Sequence, residues 1–395
     1  AVGQTRFRQF ISYDTMDEPN QALTSLLFAD YQLENKMNIG FVGSPNIGSV
    51  ALNMIKDSEE FKAFANVFGE GDRIFFISSI FGGTGAAGFP ILVKNIRQAQ
   101  NLDVSNKNFL RQAPIGGLTV LPYFNLNNSQ GKSIDKADFV VKTQSALQYY
   151  NETLTGDADR NVNAIFYLGD QTSSIPYDYD PGNIRDQHNP AHLVEMVGAM
   201  AALKFAGMAD RQFLDGMGGF LPTKAFEYGL DKDLLDVDFT TFGQETRHLI
   251  YRPMVKFHML FIYMRTALKA IIGQGYTQDE PKIRNEFTTT QFYRTLVDQF
   301  FDFYTEWLTE MHQNLRHVEL FNVGENNLSN IIHNVVTKKG FFGRKSVDEN
   351  TFNSEMNKLS RDNKKYSDRT VEYKLLDLFN QAAGNILDEK YENIN

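Results

Sequence analysis

One stretch limits the fold more than any other. The run DRIFFISSI (72–80) passes directly into FGGTGAAGFP (81–90) and then into ILVKNIRQAQ. Aromatic and β-branched residues favour a strand in the first run, Gly83, Gly85 and Gly88 spell G-x-G-x-x-G at the turn, and the third run suits a helix. Other apolar runs repeat the pattern: MNIGFVG ending at Gly43, GGLTVLPYFNL (116–126) and NAIFYLGD (163–170). Between them, SVALNMIKDSEEFKAFANVF and ADFVVKTQSALQYYNETL suit helices. Strand and helix in alternation predict an α/β domain with a doubly wound, mostly parallel sheet, and ligands then belong in the loops after the strands' carboxyl ends.

Beyond about residue 245 the texture changes to long helical stretches. In one of them Phe292, Leu296, Phe300, Phe303, Trp307, Met311 and Leu315 recur at helical spacing, and we read them as a core-facing stripe. KKGFFGRKSVDEN (338–350) reads as an exposed basic loop and KLSRDNKKYSDR (358–369) as a solvated charged segment. A length of 395 residues fits two domains. We expect an α/β domain over 1–210 and a largely α-helical one over 211–395. The net charge of −9 builds in no attraction for nucleic acid or anionic lipid. No run reaches the apolar length that spans a membrane. Cysteine is absent, which removes thiol catalysis and thiolate metal sites and fits a reducing compartment, so the expected location is cytoplasmic.

A glycine turn opening a helix lets the backbone approach a phosphate, whose charge the free N–H groups and the helix dipole favour. A Rossmann dinucleotide site would add an acid at the end of the next strand, to hold ribose. Asp103 has roughly that spacing but sits in NLDVSNKN, which reads as a loop. An NAD(P)-linked oxidoreductase therefore stands as an alternative that lacks its acid.

The glycine box has a second likeness. Gly82, Gly83, Thr84 and Gly85 resemble the G-G-G-T-G phosphate loop of the tubulin and FtsZ superfamily. Some forty residues upstream, GFVGSPNIGSVALN resembles that family's G-A-N-P-E-V-G loop. GGLTVLPYF, NAIFYLGDQ and QHNPAHLVEMVGAMAALKF stand where the family has two further strands and its long central helix. The resemblance covers about residues 38–205. Phe81 and Ala87 depart from the family's box, and residues 1–37 hold no counterpart of its first glycine loop. Either the sequence lacks its beginning or the site is incomplete.

The resemblance implies bound GTP or GDP, with Mg²⁺ accompanying the triphosphate, and self-association into homo-oligomers or filaments. It implies phosphate contacts from Gly43, Ser44, Asn46 and Gly48 and from Gly82, Gly83, Thr84, Gly85 and Ala86. A β-turn around Pro45 and Asn46 would account for the upstream loop equally. Asn125, with Asn127 and Asn128, stands where ribose would lie or simply makes a turn, and Asp170 and Gln171 share that ambiguity. Asn189 before Pro190 is a natural helix cap that could also meet guanine, with Gln187 and His192 as rivals. His188 and His192 are four apart but lack the glutamate of H-E-x-x-H, and no metal site is assigned.

In the family, acidic residues of a neighbouring subunit complete a GTPase site. LDVDFTTF (235–242) resembles that loop, with Asp236 and Asp238 present and Thr241 in place of the second acid, and Asp238 is the candidate catalytic residue. Asp210 in GMADRQ is the rival. A further partner could engage the helical second domain. The competing reading is a scaffold that keeps the fold without the nucleotide.

Overall fold

The computed structural model describes residues 5–37, 40–41, 43–124, 136–156, 161–171, 190–227, 230, 233–322, 324–341, 343–361 and 363–392. The chain forms two units, Ala1–Asn189 with Val194–Tyr228, and Pro190–Leu193 with Gly229–Asn395.

The first unit is built on a four-stranded sheet: β1 (Ile74–Ser79), β2 (Ile115–Val120), β3 (Ala164–Leu168) and β4 (Lys224–Glu227). All neighbours are parallel, with Ile74 opposite Ile115, Gly116 opposite Ala164 and Ala164 opposite Lys224. Strand order follows the chain, so the reversal that defines a doubly wound sheet is not found among the described strands. Its longer helices are α1 (Glu18–Leu27), α2 (Pro45–Asn53), α3 (Glu59–Val67), α4 (Gly83–Arg97), α5 (Lys136–Thr153) and α6 (Leu193–Gly207).

Parallel strands need long crossovers, and these helices cover both faces of the sheet. Gly116 and Gly117 of β2 are what let them close in. A Cβ on Gly117 would strike the Phe89 ring of α4, and one on Gly116 would come within 2.7 Å of the Phe205 ring of α6 on the opposite face. Phe89 meets Tyr150 of α5 edge-on at 5.6 Å, and Phe205 lies 5.4 Å from Phe75. At one end of these strands the partly buried Arg97 donates to the carbonyls of Asn161, Arg111 and Ala113 and to Asn163 Oδ1. Burial lowers its pKa. With no carboxylate among those partners, the cation is held by carbonyl dipoles.

Strands β1 and β3 fall within the expected runs, and β2 begins one residue before its run, at Ile115. Of the run ending at Gly43, the described residues Met37, Gly40, Phe41 and Gly43 belong to no strand. Strand β4 was not expected, because four residues reading KAFE carry no apolar run; Phe226 nevertheless stacks on Phe166 at 4.7 Å.

The second unit is mainly helical, with α7 (Gln244–Thr266), α8 (Phe301–Gln313), α9 (Glu349–Leu359) and α10 (Val371–Lys390). Two short pairs accompany them: β5 (Asp236–Val237) with β6 (His317–Val318), and the hairpin of β7 (Lys339–Gly340) and β8 (Gly343–Arg344). Phe352 and Phe379 stack at 5.1 Å where α9 meets α10. The fully buried Lys374 donates to the carbonyls of Tyr276, Asp279 and Pro281.

The expected aromatic stripe is corrected here. A π-helical stretch, Arg294–Phe300, leads into α8, and the buried residues are Tyr293, Val297, Phe301, Tyr304, Leu308 and Met311. Only Met311 belongs to both sets. The buried stripe is displaced by one residue from the expected one, and Phe300 and Phe303 face outward, 50% and 67% exposed.

Candidate functional site

The two glycine turns meet. Gly40 and Gly43 both take positive φ, +74° and +68°, which bends the chain sharply before α2. Pro45 at the first position then starts that helix. Gly82 caps α4, and Gly83, its first residue, lies against the upstream turn. A Cβ there would come within 2.8 Å of the Ser44 nitrogen, 2.9 Å of the Phe41 oxygen and 3.0 Å of the Gly43 nitrogen. Thr84 Oγ1 accepts from the Phe41 N–H at 3.3 Å, tying the turns together.

Several expected contacts are taken up by packing. Gly48 is buried within α2, where a Cβ would meet Phe41, Ala87 Cβ and the Gly83 oxygen at 2.8 to 3.0 Å. Gly85 lies on β1, with Ser79 O 2.8 Å from its would-be Cβ. Gln32 Nε2 donates to Ser44 Oγ and to Asn46 Oδ1, at 3.4 and 3.1 Å. Ser44 N–H itself donates to Phe41 O at 2.8 Å. What remains unengaged is the start of α4: among the described residues, the N–H groups of Gly83, Thr84 and Gly85 have no backbone or side-chain acceptor.

Beside this start lies a cleft of about 310 Å³. Pro45 and Ser49 of α2 form one wall, Phe81, Gly82 and Ala86 another, and Lys142, Ser145, Ala146 and Tyr149 of α5 a third. Lys142 Nζ donates to Gly43 O at 3.3 Å. It is the one cation in a lining without carboxylates, so the local field favours an anion. Below the cleft, Tyr150 Oη donates to Ala86 O at 3.1 Å, and burial raises the phenol's pKa, keeping it a donor. That bond fixes the start of α4 against α5.

The sequence reading missed Lys142, Tyr150 and Gln32. A signal for the first existed: Lys142, Ser145, Ala146 and Tyr149 follow an i, i+3, i+4, i+7 pattern, which places them along one helix face.

Other expected residues stand elsewhere. Asn125, Asn127, Asn128, Gln187, His188 and Asn189 lie outside the described residues. Asp170 follows β3 and accepts from the Gln171 N–H at 2.6 Å. Asp103 precedes β2 and closes no strand, so the dinucleotide reading gains no ribose acid. Asp210 pairs with Arg73 at 2.6 Å. His192 is buried. Among the described residues no three His, Cys, Asp or Glu gather as metal ligands.

Asp238 lies in the second unit, 6% exposed. Its Oδ1 accepts from Thr240 N and Oγ1, both at 2.6 Å, and its Oδ2 from Asn334 Nδ2 at 2.7 Å. Burial pushes its pKa up, but hydrogen bonds from Asn334 and Thr240 outweigh it and hold the carboxyl below its ordinary value. The arrangement closes a turn after β5.

No family model matches the chain, and no curated protein matches it. Among solved structures, one similar chain is CetZ2 from Haloferax volcanii in a GTPγS-bound protofilament, at 20% identity over 33% of this chain and 31% of that chain, with a TM-score of 0.23. At that score the similarity supports no inference about fold or function.

Proposed function

We propose that the chain binds a guanine nucleotide, GTP or GDP, with its phosphates against the opening N–H groups of α4 and the Lys142 ammonium, and that the nucleotide governs association with further copies. One observation carries the reading: two turns distant in sequence converge on a helix start whose donors are unengaged, beside a cleft holding a single cation. Oriented amides and an ammonium are what a phosphate needs. The choice of guanine rests on the resemblance of the two loops.

The cleft lining has no carboxylate, so Mg²⁺ would be carried by phosphate oxygens and water, without a ligand from that lining. Asp238 has both oxygens engaged and supplies no unoccupied base. The proposal therefore assigns binding and assembly but no hydrolytic residue.

Lys142→Gln is the informative variant. Gly85→Asp would press on the Ser79 backbone and test folding instead, whereas Lys142 reaches the site from the surface of α5. Losing one charge-assisted phosphate contact weakens binding by about 10- to 100-fold. Thermal unfolding of the full chain with GTP, ATP and NADPH reads this out, since a ligand of the folded state raises the midpoint. GTP should stabilise the wild type strongly and Lys142→Gln weakly. Equal stabilisation of both removes Lys142 from the site. No shift with any nucleotide favours the scaffold reading, and a shift with NADPH alone favours the dehydrogenase.

A further inference from the structure

Helix α1 wears its apolar side outward. Asp17 caps it, accepting from the Asn20 N–H at 2.9 Å, and Pro19 stands in the first turn, so the local sequence starts a helix soundly. Its inward contacts are polar. Thr24 is buried and donates to Asn20 O at 2.8 Å, and Gln21 Nε2 donates to Tyr13 O at 3.1 Å. Leu23, Leu26 and Leu27 stand at i, i+3 and i+4 on one face and are 54%, 84% and 60% exposed. Tyr31, in the short turn of helix that follows, is 69% exposed. A helix of a globular protein buries such a stripe against its own core, and an apolar patch left outside marks an interaction surface.

The stripe is held in this orientation. Phe28, directly after α1, is buried with Leu33, Phe7, Phe41 and Ile47 in a small core of their own, and Asn46 Nδ2 donates to Leu27 O at 3.4 Å, which ties the end of α1 to α2. Acids frame it. Residues 9–35 contain Asp14, Asp17, Glu18, Asp30 and Glu34 and no Lys, Arg or His. Arg8 pairs with Asp14 at 2.5 Å, and Arg6 and Arg8 pair with Glu34, so those two acids are neutralised. Asp17 and Glu18 at the start of α1 and Asp30 beyond its end are exposed, and among the described residues they make no ion pair. Each end of the leucine stripe therefore carries uncompensated negative charge.

We infer that α1 docks a helical segment of another protein, one whose apolar stripe carries Lys or Arg at both ends. Leu23, Leu26, Leu27 and Tyr31 meet the apolar stripe, and the basic residues face Asp17 and Glu18 at one end and Asp30 at the other. Ten residues of α-helix span about 15 Å, so the partner's basic groups lie about three turns apart. Charge complementarity selects this occupant over a second copy of the chain. Two α1 faces packed antiparallel set Asp17 and Glu18 of each against Asp30 of the other, and packed parallel they set each acid against its counterpart. Acid meets acid either way, whereas a base at each end compensates both. One helix face is a small contact, so binding is weak and falls with salt. It requires no nucleotide.

Fluorescence anisotropy of a labelled helical peptide with a leucine stripe and lysine at the other positions tests this on the full chain without nucleotide. A peptide of the same pattern with glutamate for lysine is the control. The wild type should bind the lysine peptide and not the glutamate one, less tightly in high salt. Leu26→Ser should weaken binding by about 10-fold, and Asp30→Lys should weaken it and favour the glutamate peptide. Phe303→Ser, an equally exposed apolar site in the second unit, should change nothing. All three changes are at exposed positions, and unchanged melting curves verify folding. Wild-type binding in Leu26→Ser, or equal binding of the two peptides by the wild type, overturns the inference. So does a dimer in sedimentation that Leu26→Ser dissolves, because the occupant is then a second copy, and so does binding to phosphatidylcholine vesicles lost in Leu26→Ser, because it is then lipid. None of these outcomes alters whether GTP stabilises the chain, so this inference and the nucleotide proposal fail separately.

Discussion

His258 shows how a single buried residue writes pH into stability. Its ring stacks on Phe321 at 3.9 Å and its Nδ1 meets Tyr304 Oη at 3.1 Å, and burial lowers its pKa from 6.5 to about 3. Between those values the unfolded chain binds a proton that the folded chain refuses, so stability falls as pH drops through that window. His258→Phe should show a smaller loss of urea midpoint from pH 7.5 to 5 than the wild type; equal losses would mean the ring titrates normally. Arg97 is a second case. Replacing it with Met leaves three carbonyls without their donor and should cost about 3 kcal/mol in urea unfolding. Neither role was legible in sequence, because a scattered histidine and a helix-end arginine carry no pattern; only burial distinguishes them. The glycines were legible as turn formers, yet Gly48 and Gly85 proved to serve close packing, which depends on partners distant in the chain.

At the scale of elements, legibility followed the strength of periodicity. Strands β1 to β3 are apolar runs that parallel pairing buries, and they were readable for that reason. Strand β4 is short and borrows its order from β3, so nothing local announced it. The helix containing the π-helical stretch misled differently. Its sequence holds two aromatic stripes a residue apart, both close to helical spacing, and the structure buries the one the sequence reading did not choose. The two stripes make opposite predictions. Phe301→Ala should cost about 3 to 5 kcal/mol, the usual range for a core phenylalanine, while Phe303→Ala should change stability by less than about 0.5 kcal/mol. Urea unfolding of both variants decides it, and a larger loss at Phe303 would mean the helix faces the other way.

For the whole molecule, the sequence resemblance located two turns, and the fold brings them into contact at the head of α4. The third wall of the cleft, on α5, was invisible to motif reading because a helix face contributes residues that are not contiguous. The central claim is that this convergence is a phosphate site. Its most direct test is isothermal titration of the full chain with GTP, in parallel with Lys142→Gln. The account predicts saturable binding at a single site, weakened about 10- to 100-fold in the variant. Absence of binding to the folded wild type, or a wild-type affinity in Lys142→Gln, would contradict it.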